Sequence, residues 1–281
     1  MLPRLSFRAL ALAGLVSFTC HPAAADMLIN PSNPAVDQRF FPSPTNLFWA
    51  ASYNLTGVGN TNGAAGNGQW VTAISANYGL TSSHYAAAGS ATFIDSTGAS
   101  VTTAINGSVA EVGGSDLELV RFATPLPSTV ATYAIAANNE ASLMGASILS
   151  VGVPWAVGRN TIAGFGTESI GASTGSVLTY NWDPTAGTFS DLLQSGDSGG
   201  PTFTYGPDGS MLLVGLHWYI SGTITGQQDS GDTFVPAYAS QIAAAEALLP
   251  PTSVPEPSSL ALLGIGMAAV FGVLRRRRTI K

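Results

Sequence analysis

The sequence predicts an all-β fold, and three observations carry that reading. Short apolar-alternating runs recur between Gly, Asn and Ser turns from Leu55 onward. Glycine is abundant, at 32 of 281 residues, while only 9% of residues are charged; this suits a compact, turn-rich β-protein better than a disordered or coiled-coil chain. A single stretch near the end has convincing helical spacing. The candidate strands are 55–58, 69–75, 90–95, 99–105, 117–122, 130–136, 146–152, 175–180, 201–204 and 211–218. Their number and spacing predict a barrel or sandwich of antiparallel strands.

Taken in order, the chain opens with a processing signal. Residues 1–25 carry Arg4 and Arg8, an apolar stretch from Ala9 to Phe18, and small residues Ala23, Ala24 and Ala25. That pattern is a secretory signal peptide, with cleavage expected before Asp26. Cys20, the only cysteine, lies inside it, so the exported protein has no disulfide and its core must stabilise it unaided. Residues 26–47 are rich in Pro and Asn and read as an extended N-terminal arm.

The segment GNTNGAAGNGQ (59–69) reads as a loop; without a Gly-Lys-Ser/Thr ending it has no nucleotide role. ATPLPST (123–129) is a Pro-punctuated link and a natural boundary between two halves, at about 48–125 and 126–236. GPDGS (206–210) makes a hairpin turn. Residues 237–249 form the one expected helix, with Tyr238, Ile242, Ala245 and Leu249 on one face and Pro250 ending the run.

The body, residues 26–254, carries only Arg39, Arg121 and Arg159 against 15 Asp and Glu, a net charge of −12, with no lysine. Nucleic-acid binding needs a basic footprint, which is missing here. Two histidines without cysteine give no recognisable zinc spacing, so neither a metal nor another cofactor is expected.

At the C-terminus, Leu260 to Leu274 is apolar and Arg275 to Arg278 follow. Fifteen residues are short for a span of roughly 20, but the arginines form a cytoplasmic stop. Val254-Pro255-Glu256-Pro257, the apolar segment and the basic end together resemble the PEP-CTERM sorting signal of Gram-negative bacteria. The resemblance implies that 250–281 form a linker, a transmembrane sorting helix and a basic tail. It also implies recognition by exosortase-type machinery, and a place in the cell envelope or on the surface after inner-membrane anchoring.

One motif asks for chemistry. SGDSGGPTF (195–203) is either an ordinary Gly-rich turn or a loop that presents Ser198. A serine nucleophile needs a histidine to take its proton and a carboxylate to orient that histidine. After signal removal only His84 and His217 remain. His84 ends the segment LTSSH, and Asp116 leads the alternating run in GGSDLELVRF. Without the serine motif, His84 reads as a structural residue beside Tyr85, and Asp116 as the opening of a strand from a turn.

LTSSH, the strand led by Asp116, and GDSGGP occur in the order of the chymotrypsin-like serine proteases, and the chain resembles that family over most of residues 50–249, weakly outside the motifs. The resemblance implies two six-stranded antiparallel β-barrels with a cleft between them and a C-terminal helix. It implies that Ser198 attacks an acyl carbonyl, that His84 serves as base and then acid, and that Asp116 holds the imidazole. The amides of Gly196 and Ser198 would form the oxyanion hole.

Two departures from the animal enzymes follow. No activation-cleavage site supplies a new N-terminal amine for Asp197; VGRNTIAGFGT (157–167) resembles a bacterial segment whose arginine does so instead, which implies an Arg159–Asp197 ion pair. In VGLHWYISG (214–222), His217 and Tyr219 replace the family's Ser and Gly beside Trp218, so the primary pocket would be partly filled. Leu192, six residues before Ser198, carries no charge, which favours an apolar or small P1 residue. Alternatively, His217 with Ser195 would bind an acidic P1 side chain, or His217 simply packs behind Asp116.

These residues support a secreted serine endopeptidase acting on a protein or peptide. The alternative is a catalytically inactive relative serving as a surface or extracellular-matrix binding protein.

Overall fold

In the computed structural model, the described residues are 26–42, 47–61, 69–85, 87, 89–183, 185, 189–222 and 228–250. The expected signal peptide (1–25), the apolar tail segment and most of the 59–69 loop lie outside them. Among the described residues, no helix is long and apolar enough to cross a membrane.

Six strands close a barrel in the first half. Their order is Val58–Thr61, Trp70–Ala73, Tyr78–Ser82, Leu117–Phe122, Ser100–Val109 and Ser90–Ile94. Alternate residues fill its interior: Val71, Ala91, Phe93, Val120 and Phe122 are buried together, and the Phe93 and Phe122 rings meet edge to face, 5.7 Å between centroids. Tyr78–Ser82 is buried along its whole length, so it lacks the alternation that marks a half-exposed strand.

The second half differs from the expected six-stranded barrel. It is one ten-stranded sheet, ordered Leu28–Asn30, Ser190–Leu192, Ala156–Thr161, Ser147–Gly152, Pro201–Tyr205, Met211–Gly222, Gln228–Phe234, Ser173–Asn181 and Gly164–Ile170, with Ala134–Ile135 paired beside Met211–Gly222. The sheet rolls toward itself without closing its ladder. Side chains bridge the gap instead: Leu193 N donates to Ser230 Oγ at 3.1 Å, and Asn160 Nδ2 donates to the Asn181 carbonyl at 3.1 Å.

Residues 26–42 are not a free arm. Leu28–Asn30 pairs with Ser190–Leu192, with Met27 and Ile29 buried on one side. Asn33 then caps the short helix Pro34–Asp37. Three strand residues are too few to give a periodic signal, which is why this edge strand is not evident from the sequence.

The halves meet through a shared core that includes Trp70, Leu80 and Leu117 from the barrel and Leu149, Val151 and Phe203 from the sheet. Each such large side chain contributes about 1.5–3 kcal/mol on burial. Trp70 and Trp155 cross this boundary edge to face, 4.9 Å apart. The helix Ala239–Leu248 follows a 3-10 turn, Val235–Tyr238. Tyr238, Ile242 and Ala245 face inward as their spacing predicts, and Tyr78 Oη ties the end of the helix to the barrel through the Leu249 carbonyl at 2.5 Å.

Candidate active site

The top edge of the shared core gathers the candidate catalytic residues. Tyr78–Ser82 ends in a 3-10 turn, Ser83–Tyr85, which presents His84. Asp116 immediately precedes Leu117–Phe122, the strand paired with Tyr78–Ser82. That pairing places the two residues side by side. His84 Nδ1 lies 2.6 Å from Asp116 Oδ2, and the His84 amide donates to Asp116 Oδ1 at 2.9 Å. Asp116 is 1% exposed while the His84 side chain is 36% exposed. A buried carboxylate thus fixes an imidazole whose other nitrogen is directed away from that carboxylate.

Ser198 sits in the loop between Ser190–Leu192 and Pro201–Tyr205. The next residue brings that loop against the histidine strand: a methyl added at Gly199 would stand 3.0 Å from Ser82 N and from Ser82 Oγ. Ser82 is two residues before His84. Ser198 Oγ itself has no hydrogen-bond partner among the described residues.

The loop backbone suits an oxyanion. Gly196 has φ +107°, a conformation that side chains other than glycine strongly resist. Asp197 N, Gly199 N and Gly200 N are used internally, toward the carbonyls of Gln194, His217 and Asp197. The amides of Gly196 and Ser198 have no acceptor among the described residues.

Trp218 connects the two sides. It borders a cavity of about 280 Å³ with Ser83, His84, Asp116 and Ser173. It also borders a cavity of about 110 Å³ with Leu193, Ser195, Ser198 and Tyr219. A β-bulge between His217 and Tyr219 leaves Trp218 as the extra residue of its strand, a device that re-aims a side chain next to a site. A larger cavity, about 680 Å³, lies elsewhere, by Tyr53, Arg159 and Tyr205; no histidine lines it to activate a hydroxyl, so size alone does not mark the chemistry.

Several site residues differ from expectation. Leu192 is fully buried and paired in register with Leu28; Leu193 lines the small cavity in its place. The register imposed by the N-terminal strand turns Leu192 into the core. Arg159 does not pair with Asp197. It is exposed, with its guanidinium 4.3 Å from the centre of the Trp49 ring. Asp197 is buried and accepts instead from Val153 N at 2.7 Å and Gln194 N at 2.6 Å.

His217 is not open to an acidic substrate side chain, and its ring is engaged by Asp232 rather than Asp116. It is 1% exposed, with Nδ1 2.9 Å from Asp232 Oδ1 and Nε2 3.2 Å from the Val151 carbonyl. Both ring nitrogens are therefore occupied inside the protein. Asp232, Asp191 and Asp197 make a buried acidic surround that no motif in the sequence reveals. Burial pushes Asp191 and Asp197 each up to about 7, against the lowering effect of His217 and their hydrogen bonds. Among the described residues, no group of three His, Cys, Asp or Glu side chains could hold a metal ion.

Comparison with known families finds a PEP-CTERM protein-sorting motif at residues 253–278. The chain is thus an exported protein of the Gram-negative type of envelope sorting, carrying the motif that exosortase-type machinery recognises. No curated protein matches the sequence.

Proposed function

We propose that the chain is a secreted serine endopeptidase in which Ser198 forms an acyl-enzyme, His84 relays the proton and Asp116 orients His84. The observation that carries this reading is the His84–Asp116 pair, 2.6 Å apart, beside a glycine-built loop whose Gly196 and Ser198 amides have no acceptor among the described residues. In the reaction, His84 Nε2 takes the Ser198 proton as Oγ attacks the carbonyl. The two amides then receive the oxyanion, each donor contributing about 3 kcal/mol to the transition state. His84 returns the proton to the leaving amine, and water repeats the sequence to free the acid. The Ser198–His84 hydrogen bond forms on substrate binding, as catalytic hydrogen bonds often tighten only in the complex.

The primary pocket is small. Its volume of about 110 Å³ is below the roughly 150 Å³ of a cavity that admits benzene. A small apolar P1 residue such as Ala or Val suits it. The tail would hold the protease domain at the inner membrane before sorting releases it.

Intact-mass analysis of the exported chain after fluorophosphonate treatment tests the reading. One adduct, absent in Ser198→Ala and in His84→Ala, is the expected result. No adduct on the folded protein would overturn it. That outcome would favour the second reading, an inactive surface or matrix binding protein, for which the unpartnered Ser198 Oγ is the supporting observation.

A further inference from the structure

The chemistry proposed above leaves the buried imidazole of His217 unused. His217 lies beneath the nucleophile loop and is tied to it by two backbone hydrogen bonds, His217 N to the Gly200 carbonyl and Gly199 N to the His217 carbonyl, both 2.9 Å. Its ring packs so closely that a methyl at Gly200 would stand 2.6 Å from His217 Cδ2.

We propose that His217 is a positioning residue, a buried imidazolium that supplies the counter-charge for Asp197 and so holds the Gly196 and Ser198 amides in their catalytic orientation. This rests on the serine endopeptidase reading for its consequence, though not for its charge state.

Two geometric arguments support the charge. The Val151 carbonyl can only accept a hydrogen bond, so Nε2 must carry a proton. Nδ1 faces the Asp232 carboxylate and must carry a proton as well if that carboxylate is ionised. The second argument is elimination among the body's cations. Arg39 is spent on the carbonyls of Leu55 and Ile94. Arg121 is spent on Asn106 and the Pro250 carbonyl. Arg159 lies over Trp49. With His84 held by Asp116, His217 is the side-chain cation left for Asp197 among the described residues.

The groups facing His217 all favour the charge. Asp232 comes from Gln228–Phe234, Asp191 from Ser190–Leu192, and Asp197 from the nucleophile loop. Tyr180 of Ser173–Asn181 stands beside Asp232, its Oη 3.4 Å from Asp232 Oδ1, and the Asp26 carboxylate adds negative charge near Asp197. Burial opposes ionisation, yet the carboxylates outweigh it and hold His217 above the ordinary histidine value. Asp197 connects this charge to the site, since its two oxygens fix the Gln194 amide at the start of the loop and the Val153 amide of the turn after Ser147–Gly152.

The test uses the exported chain and His217→Gln. Nitrogen NMR of the wild-type ring at neutral pH should show both nitrogens protonated; a neutral ring would overturn the proposal. Hydrogen exchange at the Val153 and Gln194 amides should quicken in the variant, with His84–Asp116 unchanged. Fluorophosphonate labelling should slow about 100-fold. Its rate in the wild type should fall as His217 deprotonates on the alkaline side, and that limb should vanish in the variant. Unchanged exchange, unchanged labelling or a retained alkaline limb would each overturn it. Where the variant fails to fold, the ring measurement decides on the wild type alone. If the wild type does not label at all, the endopeptidase reading fails, while ring charge and exchange still judge His217.

Discussion

The ring of Tyr219 lies across Gly231, so closely that a methyl at 231 would collide with the ring carbons and hydroxyl. The two residues are direct partners in adjacent strands, and the aromatic ring occupies space that a glycine at 219 would leave open. Tyr219 also lines the pocket beside Ser198. Tyr219→Gly is therefore expected to enlarge the pocket and shift P1 preference from Ala toward Leu and Phe, by about tenfold or more in kcat/KM ratio. Profiling with a peptide library varied only at P1 checks this; an unchanged profile would show that Tyr219 does not bound the pocket.

Asp116 is buried and accepts from both the ring and the amide of His84. Asp116→Asn offers an amide where a carboxylate stood, favouring the wrong imidazole tautomer. The expected loss is about 10³–10⁴ in kcat, with KM little changed. Single-turnover kinetics on an ester substrate would show it, with circular dichroism verifying the fold.

Gly196 holds φ +107°. Gly196→Ala must strain the loop or rotate the peptide and withdraw its amide from the cleft. Activity should fall about 10²–10³-fold, with a stability loss of about 1–3 kcal/mol. Urea unfolding and acylation rates, measured on the same sample, separate the two effects.

Stability should decline as pH rises. Asp191 and Asp197 titrate at about 7 in the fold, against roughly 4 when unfolded, and His217 is also raised. The folded state therefore holds more protons than the unfolded chain across this interval, so stability falls as pH rises through it. The thermal midpoint is expected to drop by about 5 °C or more between pH 5 and pH 8.5. Calorimetry showing a rising midpoint would contradict this ordering.

How far the site is legible varies residue by residue. His84 and Asp116 are found from the sequence because LTSSH and the strand led by Asp116 resemble protease segments in the order the serine motif demands, and the structure sets the two side by side. Gly196 and Ser198 stand out through a turn composition that has a chemical use. Leu192 and Arg159 are misplaced for one shared reason: the neighbours that decide their direction are distant in the chain. Leu28 fixes the register of Leu192, and Trp49 gives the Arg159 guanidinium a stacking surface. The strand Gln228–Phe234 escapes recognition because Asp229 and Asp232 interrupt any apolar pattern.

By itself, the sequence determined the β-rich class, the helix with Tyr238, Ile242 and Ala245 inward, the sorting motif and the candidate triad. These depend on periodicity, composition and short spacings, all local properties. Only the tertiary structure decided that the second half remains an open ten-stranded sheet, that the N-terminal segment is its edge, and that His217 lies among Asp191, Asp197 and Asp232. Those outcomes depend on long-range register and on where buried charge finds a partner, and neither is written in any one stretch of the chain.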